Sequence, residues 1–183
     1  MKISIDGKSL ILELVEKIAF DLTAKDKISL TSQARKRMEL SRRYIESKLQ
    51  GDEAIYGVNT GFGMLSAVRI SDDKLGQLQL NLLRSHAVGI GRPLSEPEVR
   101  AAILLRANTL AAGYSGVTPK LVDALLALLN KSIHPWIPEQ GSVGACGDLA
   151  PLAHLALVLI GEGKAYVNGK LVSGAQALKS AGL

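Results

Sequence analysis

The chain reads as a mainly α-helical domain, and three features of its 183 residues predict that class. Apolar side chains recur at helical spacing over most of the length, helix-start and helix-stop residues bracket those stretches, and aromatic residues make up only 4%. A core poor in rings must be built from Leu, Ala, Val and Ile, which suits packed helices. At 47% hydrophobic and 21% charged, the composition is that of a globular protein and not a disordered one. The length is enough for one domain with a real core. No internal repeat, Pro/Ser linker or low-complexity segment divides it, so residues 1–183 are expected to form a single domain.

Taken in order, residues 1–6 alternate like a strand and turn at Gly7. Leu10, Leu12, Val15, Ile18 and Ala19 then recur at near-helical spacing. Thr31 is placed to cap a helix from Ser32 to Leu49 that stops near Gly51. Residues 52–70 are rich in glycine and lack a convincing period, so they read as a loop carrying Tyr56. Ser71-Asp72-Asp73 starts a helix with acids in the first turn, where its dipole favours them. That helix carries Leu75, Leu78, Leu82 and His86 and breaks up at Gly89 and Gly91. Ser95-Glu96-Pro97-Glu98 is a capping box, opening a helix that runs to a glycine cap at Gly113. Thr118-Pro119 opens the next helix, which ends near Ser132 ahead of Pro135 and Pro138. A further helix spans about Leu149 to Ile160. Asn168-Gly169, between apolar residues, predicts a β-hairpin with a type I′ turn near the C-terminus, and Ser173 caps a last short helix.

The net charge of +5 is concentrated in Arg35-Lys36-Arg37 and Arg42-Arg43. Glu39 and Glu46 interrupt that run and only Tyr44 lies nearby, so it reads as a solvated helix face, and no nucleic-acid partner is expected. A single cysteine excludes an internal disulfide framework and fits a reducing compartment. The N-terminal Met-Lys-Ile-Ser-Ile-Asp lacks the apolar stretch of a secretory signal. The longest apolar run, around Leu149–Ile160, contains His154 and stops at Gly161, short of a membrane span. A cytoplasmic protein with no membrane partner is the expectation. Three histidines and one cysteine without ligand spacing predict no metal site. His134, before Pro135, reads as a surface residue, and His154 as packing or hydrogen-bonding within its helix.

Residues 141–154, Gly-Ser-Val-Gly-Ala-Cys-Gly-Asp-Leu-Ala-Pro-Leu-Ala-His, hold the densest chemistry. Gly141, Gly144 and Gly147 free the backbone around Cys146 to fold back, so that the Gly147 nitrogen can approach the Ala145 carbonyl. Attack there closes a five-membered ring. Loss of water from the ring and of hydrogen sulfide from Cys146 then leaves a methylene conjugated to an imidazolone, a strong electrophile. Two other readings of Cys146 stand beside this one. An inert core cysteine fits poorly among glycines at a helix start. A cysteine nucleophile, its thiolate favoured by the helix N-terminus, needs a histidine base, and His86, His134 and His154 are all candidates that spacing does not separate.

The segment resembles the signature of the aromatic amino acid ammonia-lyases, the histidine ammonia-lyases above all. Tyr56-Gly57-Val58-Asn59-Thr60-Gly61-Phe62-Gly63, Arg84-Ser85-His86-Ala87-Val88-Gly89-Ile90-Gly91, Gly113-Tyr114-Ser115-Gly116-Val117 and Leu159-Ile160-Gly161-Glu162-Gly163-Lys164-Ala165 resemble further family motifs in the same order. The likeness covers nearly everything after about residue 28. In the family the tripeptide is usually Ala-Ser-Gly and matures into 4-methylidene-imidazol-5-one (MIO). Cys146 stands here in place of the usual serine, and elimination from either gives the same dehydroalanine.

The resemblance implies MIO formed autocatalytically from Ala145-Cys146-Gly147, with no metal and no dissociable cofactor. It gives Tyr56 an acid/base role and His86 a contact with the substrate's imidazole. Asp148, directly after the tripeptide, reads from its position as support of the strained turn or an acceptor of amides at the helix start, and not as a catalytic acid. A tyrosine has an ordinary pKa of about 10, so acting as a base near neutral pH requires nearby positive charge or hydrogen bonds to the phenolate. The implied fold is the helical N-terminal domain of the ammonia-lyase (fumarase/aspartase-like) fold, with the long-helix C-terminal region absent. The implied reaction is elimination of ammonia from L-histidine to trans-urocanate, a step of histidine catabolism, in a homotetramer whose sites draw on three subunits. An asparagine, an arginine, a second tyrosine and a glutamate of the family site fall after Leu183. The chain alone is therefore expected to be inactive and to expose apolar surface. A phenylalanine or tyrosine ammonia-lyase or aminomutase shares the electrophile, and a half-chain that binds a separately encoded C-terminal partner is a further reading.

Overall fold

The computed structural model describes residues 2–51, 53–143 and 148–183. β1 (Lys2–Ile5) alternates exposed and buried positions, placing Ile3 and Ile5 inside. It leads through α1 (Leu12–Asp21), which buries Ile18 and Ala19, to β2 (Lys27–Leu30). β2 pairs parallel to β1 in register Lys2↔Lys27 to Ile5↔Leu30, with α1 as the crossover that parallel strands require. α2 (Ser32–Leu49) begins at Thr31, whose hydroxyl accepts the Ala34 N–H at 3.2 Å. A loop then runs to Ser71, with one 3₁₀ turn at Gly63–Leu65 and a bridge between Thr60 and Arg69.

α3 (Asp72–His86) is followed by β3 (Ile90–Pro93) and α4 (Glu96–Ala111). The capping box of α4 is formed as the sequence predicts, with the Ser95 N–H donating to Glu98 at 2.7 Å. α5 (Pro119–Asn130), β4 (Ile133–Pro135) and β5 (Pro138–Gln140) follow. The last segment holds α6 (Leu149–Leu159), the hairpin β6 (Lys164–Val167) and β7 (Lys170–Ser173), and α7 (Gly174–Ser180). Asn168 and Gly169 take φ of 50° and 74°, as a type I′ turn demands.

The core is centred on α4 and α5. Ile103, Leu104 and Ala107 of α4 and Val122 and Leu128 of α5 are wholly buried, against α1 and the β1–β2 pair. Burying each large aliphatic side chain contributes about 2 kcal/mol. The fold is mainly helical, but its strands go beyond the predicted hairpin. β3 pairs antiparallel with β5, and β4 joins the hairpin through β6. Proline at the ends of β3, β4 and β5 hides them from a pattern reading, since proline suits only strand ends and edges.

Two local expectations are corrected. The basic stretch of α2 is not simply a solvated face. Arg35 makes a bidentate pair with Asp123 of α5 at 2.9 and 2.7 Å, and Arg37 donates to the Asp6 carbonyl at 2.5 Å. His134 is buried, 6% exposed, and not on the surface. Its Nε2 accepts the Arg100 Nε–H at 3.2 Å, while Glu96 lies 3.5 Å from Nδ1 and also pairs with Arg100. Arg100 further donates to the Ala19 carbonyl at 3.2 Å, so this polar knot ties α1, α4 and β4 together. Burial outweighs the nearby Glu96 and, with the Arg100 charge, lowers the His134 pKa, keeping the ring neutral.

Candidate active site

α3 and α6 lie side by side and, with α4, α5 and the loop after α2, enclose a groove of about 630 Å³. Tyr56 and Phe62 enter it from the loop, Leu82 and His86 from α3, and Leu149 and Leu152 from the first turn of α6. Tyr56 is 63% exposed, and its ring meets Phe62 edge-on with centroids 5.8 Å apart. Its placement depends on Asn59, which is fully buried. The Asn59 Oδ1 accepts the Ile55 N–H at 2.7 Å and its Nδ2 donates to the Glu53 carbonyl at 2.9 Å. Gly57, at φ 75°, lets the chain turn immediately after the tyrosine.

His86 is the last residue of α3. Its Nδ1 lies 2.8 Å from the Leu82 carbonyl and 3.1 Å from the Ser85 hydroxyl. A carbonyl only accepts, so Nδ1 carries a hydrogen, and in the neutral ring Nε2 is the acceptor left for a ligand. His154 of α6 behaves differently. Its Nε2 accepts the Gly89 N–H at 3.1 Å, its ring meets Trp136 edge-on, and burial lowers its pKa, which preserves the neutral acceptor. The partner of His154 thus lies outside its own helix.

Ala145, Cys146 and Gly147 lie outside the described residues, but their flanks are well placed. Asp148 starts α6 at φ 60° and makes no side-chain cap bond to the helix amides. Instead its carboxylate accepts the Ser142 hydroxyl, linking the residue six positions back to the helix start. Gly141 sits so close that a Cβ there would stand 3.3 Å from the Ala150 Cβ and 3.4 Å from the Gly89 Cα. Both ends of the segment are therefore seated on the first turn of α6 and on the turn that follows His86.

A family model for aromatic amino acid lyases matches residues 10–183. The chain belongs to that family. It is 48% identical to the histidine ammonia-lyase of Treponema denticola over 181 residues, 99% of this chain and 35% of that protein. Among solved structures it resembles the ergothionase of T. denticola, with TM-score 0.94 and 30% identity over 100% of this chain and 36% of the other. The tyrosine aminomutase of Streptomyces globisporus gives TM-score 0.90 and 37% identity over 100% and 34% of the two chains. The chain spans about a third of the length of these relatives.

Of the residues that sequence reasoning singled out, this aromatic amino acid lyase chain brings Tyr56 and His86 to one groove and sets Asp148 at the foot of its α6 wall. His134 belongs to the interior knot and His154 to the α3–α6 contact. Sequence reasoning missed Asn59 and the pairing of Arg84 with Glu162, although all three lie inside the quoted motifs. Among the described residues, no group of three or more His, Cys, Asp or Glu could hold a metal ion, and no helix is long and apolar enough to cross a membrane.

Proposed function

We propose that these 183 residues form one domain of a histidine ammonia-lyase, the part that carries the electrophile and the tyrosine of a cytoplasmic homotetramer. The observation that carries the reading is that Tyr56 and His86 line one groove whose wall is the first turn of α6, directly after Ala145-Cys146-Gly147. The residues present fit an MIO group. Cys146 offers a leaving group on its β carbon, Gly147 adds no Cβ, and the Ser142–Asp148 bond ties the flanks of the tripeptide. That group supplies an electrophile for the electrons of the substrate amine, an otherwise poor leaving group.

The remaining steps belong to side chains of this chain and of the rest of the protein. Tyr56 reaches the groove from a loop pinned by Asn59 and serves as the base for the weakly acidic β-hydrogen. His86, with Nε2 free to accept, hydrogen-bonds an imidazole N–H of the substrate. The apolar walls, Leu82 and Leu152 among them, exclude water from around the ring. The carboxylate partner and other groups come from the polypeptide beyond this third, so the 183 residues alone turn over no substrate.

The likeness to a tyrosine aminomutase, at 37% identity, favours a second reading in which the substrate ring is a phenol or phenyl. Turnover assays of the complete gene product with L-histidine, L-tyrosine and L-phenylalanine decide between them. The proposal expects L-histidine to give urocanate and ammonia with kcat/KM at least about 100-fold above the other two. Preference for L-tyrosine or L-phenylalanine contradicts it.

A further inference from the structure

His86 ends a helix of which no residue is buried, and a helix end without tertiary contacts frays. Besides the packing of α3 along α6, two polar contacts among the described residues hold that end, one on each side of His86 in sequence. Two residues before it, Arg84 forms a forked pair with Glu162: its Nε lies 3.2 and 3.1 Å from the two carboxylate oxygens and its Nη2 2.5 Å from Oε1. Glu162 stands just past α6 in a tight turn, with Gly161 and Gly163 at φ 80° and 64°. Three residues after His86, the Gly89 N–H donates to His154 Nε2. A Cβ on Gly89 would lie 3.2 Å from Pro138 and 3.3 Å from His154 Nε2, so only glycine lets the amide come this near without displacing a neighbour.

Both anchors belong to the segment that begins next to the tripeptide: His154 lies on α6, and Glu162, eight residues on, stands just past its end. We propose that α6 positions His86 for the substrate through this two-point clamp, with Arg84, Glu162 and His154 as positioning residues. The proposal rests on the reading of His86 as a substrate-side residue. The Arg84 and Glu162 side chains are 47% and 38% exposed, and an ion pair that open adds little to stability. What a planar fork on a carboxylate does fix is distance and angle between elements, here 78 residues apart in sequence. The His154 ring, edge-on to Trp136, fixes the other side by accepting the Gly89 N–H. Together they set where the last turn of α3 ends, and hence where the imidazole of His86 sits relative to α6.

The test is a double-mutant cycle in the protein made from its complete gene, with L-histidine as substrate. Glu162→Gln removes the charge of the fork and His154→Leu removes the acceptor, each alone and with His86→Ala. Each single change is expected to raise KM about fivefold while kcat moves less than about twofold. Glu162→Asp and His154→Gln, which keep an acceptor, recover part of the loss. With His86→Ala in place the effects of Glu162→Gln and His154→Leu vanish, because they act through that ring. A melting temperature for Glu162→Gln within about 2 °C of the parent separates positioning from folding. Should His154→Leu fail to fold, the exposed Glu162 site decides by itself. If His86→Ala raises KM but Glu162→Gln does not, or raises it equally in both backgrounds, the clamp is overturned and the substrate-side reading stands. If His86→Ala leaves KM unchanged, that reading fails and the clamp falls with it.

Discussion

α4 and α3 are similar in length and opposite in setting. α4 buries seven of its residues, Arg100 included, among α1, α2, α5 and β4. α3 buries none, although Leu75, Leu78, Leu82 and Leu83 give it an apolar side, and its Leu82, Leu83 and His86 line an open groove. The difference shows which part of the chain is finished by its own contacts. On α4 even a buried charge is satisfied: Arg100 meets a histidine, a carboxylate and a carbonyl. Around α3 the polar groups are placed and left accessible, as a ligand site requires.

Truncation breaks or sharpens that contrast most. Leu104→Ala on α4 is expected to cost about 3 kcal/mol in urea denaturation, because the cavity cannot collapse. Leu82→Ala on α3 should cost less, about 1 kcal/mol in the same 183-residue chain, since its half-buried side chain lines an open groove and its loss leaves no closed cavity. Equal losses would mean that α3 is as well packed as α4. Next in size is the polar knot. Arg100→Ala strands the buried His134 and should destabilise the chain by about 2 kcal/mol, while Arg100→Met, which keeps bulk but not the donors, should recover less than half of that loss.

Acid acts on the same two regions more gently. His134 and His154 both have pKa values lowered by burial, so the unfolded chain binds protons that the fold does not. Stability is therefore full above the ordinary histidine value of about 6.5 and falls as pH drops through it toward the folded values. Glu98 and Glu162, held low by Ser95 and Arg84, add a loss only at more acid pH. Denaturation midpoints between pH 8 and roughly 5 check this, and His134→Gln should flatten part of the slope. A flat profile in the parent would show neither ring to be held neutral. The smallest effect belongs to the exposed Arg42–Glu46 pair on α2, where Arg42→Ala should change stability by about 0.3 kcal/mol, against about 1 kcal/mol for Arg35→Ala across to α5.

What the sequence reading captured was local. The caps at Thr31, Ser95 and Ser173 were legible because each joins a side chain and an amide only three residues apart. The Asn168-Gly169 turn was legible because both residue types tolerate positive φ. β3 and β5 were not, because Ile90 finds its partner at Gln140, fifty positions away, and prolines mask both strands. His134 was misjudged because the group that satisfies it sits 34 residues earlier on α4. At the site, motifs pointed to Tyr56 and His86, while the residues that hold them, Asn59, Arg84, His154 and Glu162, show their roles only in three dimensions. The likeness to histidine ammonia-lyases was legible because the ordered motifs are local strings, and the chain's family membership agrees with it.

The account stands or falls on what position 146 becomes. High-resolution mass measurement of the peptide spanning residues 141–154, taken from the complete gene product, tests this most directly. The account predicts a mass lower than the encoded peptide by one water and one hydrogen sulfide, with no thiol left to alkylate. Full encoded mass and a quantitatively alkylated Cys146 in a protein that is nonetheless active would contradict it and give the cysteine a nucleophile's role instead.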